Sequence, residues 1–339
     1  MKQKSIRKSI LTFSLVLLLA VLCLLSLTAG SYPLTGADYI NSIREILLSK
    51  AEQSMPTRVF WGLRFPRTMT AILTGAILGV CGGVYQMLFR SPLASPDLTG
   101  VASGASFGAA AAIVLGVGSS YLRMGFAFAG GILSLILVLL LVRFAGGERI
   151  GTYILSGIII SAAADAGLMI LKTLADPERQ LAAIDFWTMG SLAAVSAERF
   201  YPLAVVSLPA LFLLLLFRRP TVMLTLGGEE CRSMGLSPDL WRGILLSLAT
   251  LAVSASVSVT GCIGFAGLIA PHIVRFLYHS RNGAYLLYCG IAGSILLTAA
   301  DLAARTAGNG AELPISIFTV AAGIPVLILL LCIRGRDQV

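Results

Sequence analysis

Few residues in this chain have the types and spacing that bond chemistry needs. His272 and His279 lie seven apart and could share a helix face, but two histidines with no nearby carboxylate make a poor metal site. Cys23, Cys81, Cys231, Cys262, Cys289 and Cys332 are scattered, most of them inside apolar runs. They read as small core residues, with no metal knot or disulfide frame. The dipeptide Gly-Lys does not occur, so the chain lacks the phosphate-cradling G-x-x-x-x-G-K-[S/T] loop and cannot bind ATP by that device. No convincing pair of acids, or serine with a base, stands at membrane depth, which leaves an intramembrane enzyme without a catalytic pair. One ionisable residue does stand out. Asp165 in "SGIIISAAADAGLMILK" is an acid inside an apolar run, a placement rarely exposed to lipid. It either lines a path or bonds a neighbouring helix, with Lys172 about two helical turns further on at the outer end.

The elements that must position such residues follow from composition. Of 339 residues, 57% are hydrophobic and 12% charged, a balance suited to a bilayer. A spanning helix needs roughly 20 apolar residues, so this length holds about ten. The 35 glycines fit closely packed membrane helices. A basic head, "MKQKSIRKS", precedes the first apolar run and predicts a retained first helix with a cytoplasmic N-terminus. Further runs lie near 66–89, 98–117, 122–142, 150–172, 199–217, 243–260, 264–278, 283–303 and 314–333. The expected fold is an all-α polytopic membrane protein of ten spans in a single domain, 1–339, with both termini cytoplasmic. The eighth span, after the glycine-rich "VTGCIGFAGLIAPH", is expected to be short or broken. The outer segment "ADYINSIREILLSKAEQ" reads as an interfacial helix.

Charge supports that orientation. The net charge of +9 is first a topology signal and does not point to nucleic acid. Fifteen of the 25 basic residues fall in segments placed inside, leaving ten outside. Among the ten, Arg58, Arg64, Arg67, Arg199 and Arg305 sit near outer helix ends and need a reason. Snorkelling headgroup anchors would be the plain one. A basic dock for an external acidic partner is the functional one, and Arg64 and Arg67, three apart, would share a helix face.

The polar stretch "RRPTVMLTLGGEECRSMGLSPDLWR", 218–242, interrupts the apolar pattern on the inner side. Glu229 and Glu230 at the start, then Gly235 and Pro238 at the end, are helix punctuation. Met234 and Leu236 beside Cys231 are too apolar for a merely solvated connector. A short surface-held helix of this kind suits docking to a cytoplasmic partner. Two small-residue ladders, Gly75–Gly79–Gly83 and Gly100–Gly104–Gly108, cut grooves along helix faces. Tight packing is the favoured reading; the second ladder is also a candidate lining of the path, with Asp165.

The stretches "RFPRTMTAILTGAILGVCGGVYQMLFRSPLASPDLTGVASGASFGA", "MGSL", "LGGEECRSMGLS", "GCIGFAGLIAPHIVR" and "ELPISIFTVAAGIPVLILLL" resemble the FecCD-type permeases. These are membrane subunits of bacterial importers for ferric siderophores, haem and cobalamin. The resemblance covers roughly residues 60–335. It implies a type II ABC importer permease of ten helices in the bacterial cytoplasmic (inner) membrane. It implies a dimer, of two copies or with a similar permease, whose path lies at the interface. It also implies a cytoplasmic ATPase subunit that holds ATP and Mg, an extracytoplasmic substrate-binding protein, and no cofactor on this chain. By the same resemblance, coupling helices within 226–236 (Leu226, Gly227, Glu229, Glu230, Arg232, Met234, Gly235, Leu236) sit in a cleft of the ATPase. Arg64, Arg67 and Arg305 match outer arginines that pair with glutamates of the binding protein. Cys231, where the family usually has alanine, and Cys262, near which it often has proline, depart from the pattern. The expected cargo is a metal chelate, foremost a ferric siderophore, with haem and cobalamin as alternatives. An ion-gradient-driven carrier is the rival from another class; it calls for several paired intramembrane charges or broken helices near the midplane, and does not need the inner docking loop.

Overall fold

The computed structural model describes residues 2–30, 32–48, 54–146, 150–278, 284–307 and 312–336. His279, and Arg149 and Arg281 from the fifteen basic residues placed inside, lie outside the described residues. In chain order the helices are α1 (Lys2–Thr28), α2 (Gly36–Leu47), α3 (Met55–Val59), α4 (Phe65–Leu88), α5 (Val101–Val114), α6 (Ser120–Phe144), α7 (Ile150–Leu174), α8 (Gln180–Thr188), α9 (Ala197–Leu216), α10 (Arg218–Met223), α11 (Gly228–Ser233), α12 (Pro238–Thr260), α13 (Ala266–Leu277), α14 (Tyr285–Thr306) and α15 (Ile315–Arg336). A π-helical turn, Phe60–Arg64, joins α3 to α4, and a 3-10 turn, Pro96–Thr99, leads into α5. No strand occurs among the described residues.

Seven apolar segments are long enough to cross a bilayer: α1, the α3–α4 run, α6, α7, α9, α12 and α14. The shorter apolar helices α5 and α13, and the apolar stretch Ile315–Leu329 of α15, bring the total among the described residues to ten. Lipid offers the backbone no hydrogen bonds, so helix is the form such runs take. The two shortest explain themselves locally. With 14 residues, α5 is about 21 Å long and cannot span a core of about 30 Å. The backbone before it turns through the 3-10 segment, where Pro96 faces Gly267 and Leu98 faces Gly157. That irregular backbone is covered by protein, the condition under which membranes tolerate it. The 12-residue α13 carries Pro271 and starts after Phe265, whose φ is +66°. The expected short eighth span is this helix.

The buried centre is α4, packed on α14, α13 and α12. A β-carbon at Gly75 or Gly79 would collide with the Gly293 or Cys289 carbonyl of α14, and one at Gly82 with the Gly267 carbonyl of α13. A second seam joins α5 to α6, where a β-carbon at Gly104 or Gly108 would strike Ser134, Gly130 or Phe126. Both ladders are therefore packing surfaces. Gly104 and Gly108 are buried against α6 and do not line an open path, and Gly100, at φ +71°, sets the turn into α5 beside Ser161.

By contrast, α1 and α7 are largely exposed along their lengths. For α1 this suits lipid. For α7, which carries Asp165 on its exposed side, it does not.

Candidate functional site

The end of the bundle that the charge pattern places outside is built around α1's last turn. Its terminal carbonyls have no partners within the helix. Arg64 supplies them: Nη1 donates to the Leu27 and Thr28 carbonyls at 3.1 and 2.8 Å and to the Tyr39 hydroxyl at 3.3 Å, and Nη2 donates to the Tyr32 carbonyl. Arg305 Nη1 adds bonds to the Ser26 and Ala29 carbonyls at 3.0 and 3.3 Å. A guanidinium's five fixed donors suit such a cluster, and a cation there opposes the negative end of the helix dipole. Arg64 is 6% exposed. The expectation of Arg64 as an outward-facing docking cation is thus corrected: its guanidinium is committed to its own chain. The π-helical turn that ends at Arg64 precedes the α-helical start at Phe65, so the two arginines do not sit on one regular helix.

Arg67 lies in the first turn of α4. Its Nε and Nη2 meet Asp301 Oδ1 at 2.9 and 2.8 Å, and its Nη1 meets Glu312 Oε1 at 2.7 Å. Arg305 Nη2 meets the other oxygen of Asp301 at 2.8 Å. Asp301 is fully buried, clamped by two arginines. A buried carboxylate persists when paired and hydrogen-bonded in this way. The structure brings all three sequence-predicted outer arginines to one hollow of about 320 Å³, lined also by Tyr32, Leu63, Val195 and Glu312. Three guanidiniums against two carboxylates leave one net positive charge there. Asp301 was not anticipated. Its i, i+4 spacing to Arg305 was the available signal. Its pairing with Arg67 bridges 234 positions and has no local trace.

At the other end, the segment expected to dock a partner forms two short helices, α10 and α11, where a single helix was expected from the residues alone. Leu226 lies in the turn between them, 53% exposed, and Met234 closes α11, 55% exposed. Glu229, Glu230 and Arg232 are exposed, Gly227 is buried and Leu236 is half-buried. Cys231 is buried, its thiol 3.1 Å from the Met223 carbonyl, so the departure from alanine ties α11 to α10. The Gly235 N–H bonds the Arg232 carbonyl at 3.0 Å and the Leu236 N–H bonds the Cys231 carbonyl at 3.0 Å. That is the double bond pattern of a glycine-ended helix, and Gly235 has the φ of +79° it requires. A β-carbon at Gly235 would meet open space, so a substitution there acts through backbone strain alone. Gly235→Val is expected to cost about 1–2 kcal/mol of local strain. The chain should still fold, while retention of a cytoplasmic ATPase on an affinity column drops. Full retention would leave α11 a mere connector.

Asp165 is exposed on α7 and makes no hydrogen bond or ion pair among the described residues. It does not bond a neighbouring helix of its own protomer. Lys172 pairs with Asp185 of α8 at 2.7 Å. His272 is buried and shares a 3.2 Å hydrogen bond with Gln86 Nε2, and among the described residues no group of three potential metal ligands forms.

This arrangement has counterparts. The vitamin B12 import system permease protein BtuC of Salmonella typhi is 35% identical over 329 residues, covering 96% of this chain and 95% of that one. An ABC transporter permease protein of Methanocaldococcus jannaschii is 33% identical, covering 97% of each. A solved inward-facing structure described as a metal-chelate type ABC transporter superposes with a TM-score of 0.83 at 32% identity, over 94% of this chain and 97% of that one. Residues 18–333, nearly the whole chain with both ends of the bundle inside them, match the FecCD transport family, and the protein is a member of that family.

Proposed function

We propose that this chain is the permease subunit of an ATP-driven importer of metal chelates in the bacterial cytoplasmic membrane, working as a dimer, with ATP and Mg held by a partner ATPase. The observation that carries the reading is the inner end. A membrane-embedded chain without a phosphate loop presents Leu226 and Met234 on a rigidly capped pair of short helices. Exposed apolar side chains on such a feature suit a protein groove.

Two further features support it. An acid facing away from its own protomer at membrane depth calls for water or a second protein surface. Asp165 on the exposed side of α7 meets that condition if two copies enclose a path between their α7 helices. At the outer end, the positive hollow of Arg64, Arg67 and Arg305 suits an acidic side chain of a substrate-binding protein. The dock is a recess, with Arg67 as its working cation and Arg64 and Arg305, both bound to the end of α1, as its walls.

A ferric siderophore is the cargo proposed first. Cobalamin, itself a metal chelate, is the second reading, favoured by the 35% identity to a vitamin B12 permease. The test is native mass spectrometry of the binding protein isolated with this permease. A ferric siderophore supports the first reading and a corrinoid the second. A metal-free sugar or amino acid would remove the chelate assignment.

A further inference from the structure

The two carboxylates on Arg67 are held very differently. Asp301 is buried with both oxygens taken, one by Arg67 and the other by Arg305. Glu312 uses one oxygen on one nitrogen of Arg67, and its side chain is 37% exposed. Water can replace Glu312 at little cost, because exposed ion pairs contribute little; it cannot reach Asp301. When Glu312 leaves, Arg67 stays in place through Nε and Nη2 and turns a free Nη1 toward the hollow. Arg305, which also lines the hollow, stays on the other oxygen of Asp301 and on α1, so the positive wall is kept when Glu312 leaves. One labile internal acid on a fixed guanidinium and a net positive charge together describe a site built for exchanging carboxylates.

Glu312 also has a mechanical position. It stands three residues before the start of α15. The neighbouring backbone is tied by Leu313 N–H to the Ala304 carbonyl and Ile315 N–H to the Gly190 carbonyl, both at 3.2 Å. Within its first two turns, α15 holds the 261–265 segment: Ser316 donates to the Cys262 carbonyl at 3.2 Å and Thr319 to the Gly264 carbonyl at 2.9 Å. The Arg67–Glu312 pair thus links the hollow on α4 to the end of a helix that grips the irregular backbone between α12 and α13.

We propose that Glu312 is an intramolecular stand-in for a partner's carboxylate: it occupies Arg67 until docking, when the incoming acid displaces it and releases the outer end of α15. The proposal rests on the outer-face reading above. Glu312 is then an autoinhibitory competitor at the dock, and its displacement passes the docking signal to the path.

The experiment uses the permease–ATPase complex in nanodiscs, titrated with its substrate-binding protein, in wild type, Glu312→Gln and Arg67→Gln. Glu312→Gln keeps the size and an acceptor oxygen but removes the charge that competes. It should tighten binding about two- to fivefold at moderate salt, the span of a solvent-exposed ion pair. Hydrogen exchange across 312–318 should quicken when wild type docks, and should already be quick in undocked Glu312→Gln. Binding unchanged or weakened in Glu312→Gln, with exchange unaltered by docking, overturns the exchange mechanism. The two layers separate through the other variant. If Arg67→Gln weakens binding while Glu312→Gln does not tighten it, the hollow docks the partner and only the stand-in role is lost. If Arg67→Gln leaves binding unchanged, the outer-face reading itself fails.

Discussion

Replacing Gly82 by valine is expected to remove the folded protein from the membrane. A β-carbon at this position would sit on the backbone carbonyl of Gly267, which has no rotamer through which to retreat. The alternative is to separate α4 from α13, and α4 is the buried centre on which α14, α13 and α12 all pack. Gly79, against the Cys289 carbonyl of α14, meets the same obstacle one turn earlier. Overpacking a tight core costs about 1–3 kcal/mol where side chains can yield, and more where only backbone can move. Association in lipid draws on close backbone approach, so parting the helices forfeits the main attraction between them. Gly243, on α12 with nothing near its β-position, is the control and should tolerate alanine. Fluorescence-detected gel filtration of detergent extracts reads the difference. A monodisperse wild-type-like peak from Gly82→Val would show that the α4–α13 contact is looser than described.

Asp301→Ala is the second large effect. Both carboxylate oxygens are occupied by guanidiniums, and the residue is fully buried. Removing it leaves Arg67 and Arg305 facing each other, each largely shielded from water. Breaking one side of a buried pair costs about 3–5 kcal/mol, a large fraction of a fold's total stability. The Arg232–Asp239 pair, with Arg232 68% exposed, is the contrast; Arg232→Ala there should change stability by about 1 kcal/mol or less. Thermal unfolding of the two variants in the same detergent should separate them clearly. Equal midpoints would mean that the outer arginines do not depend on Asp301.

Much of this architecture is legible in the sequence because the bilayer imposes one rule on long apolar runs. The run at 66–89 is α4, that at 150–172 is α7 and that at 283–303 is α14, each to within a few residues. The short span at 264–278 was visible from its glycines and Pro271. Gly235 was legible as a helix stop because its role is local, a single residue with left-handed backbone. What escaped was tertiary. Arg64 looks like any arginine at an outer helix end; only the fold shows that it caps α1 from 36 positions away. Asp301 gains its meaning from Arg67, far along the chain. The small outer helix α8 lacks the length and periodicity that mark a span. Gly104 and Gly108 fit a packing seam and a path lining equally well as letters, and the contact with α6 decides for the seam.

The central claim, that this permease moves its cargo with ATP burned on another subunit, is tested most directly by uptake into proteoliposomes. The permease is reconstituted with and without its ATPase, the loaded binding protein is placed outside, and Mg-ATP is placed inside. The account predicts accumulation only when both ATP and the ATPase are present, no ATP hydrolysis by the permease alone, and indifference to proton and sodium gradients. Accumulation driven by either gradient without ATP would contradict it and make the protein a secondary carrier.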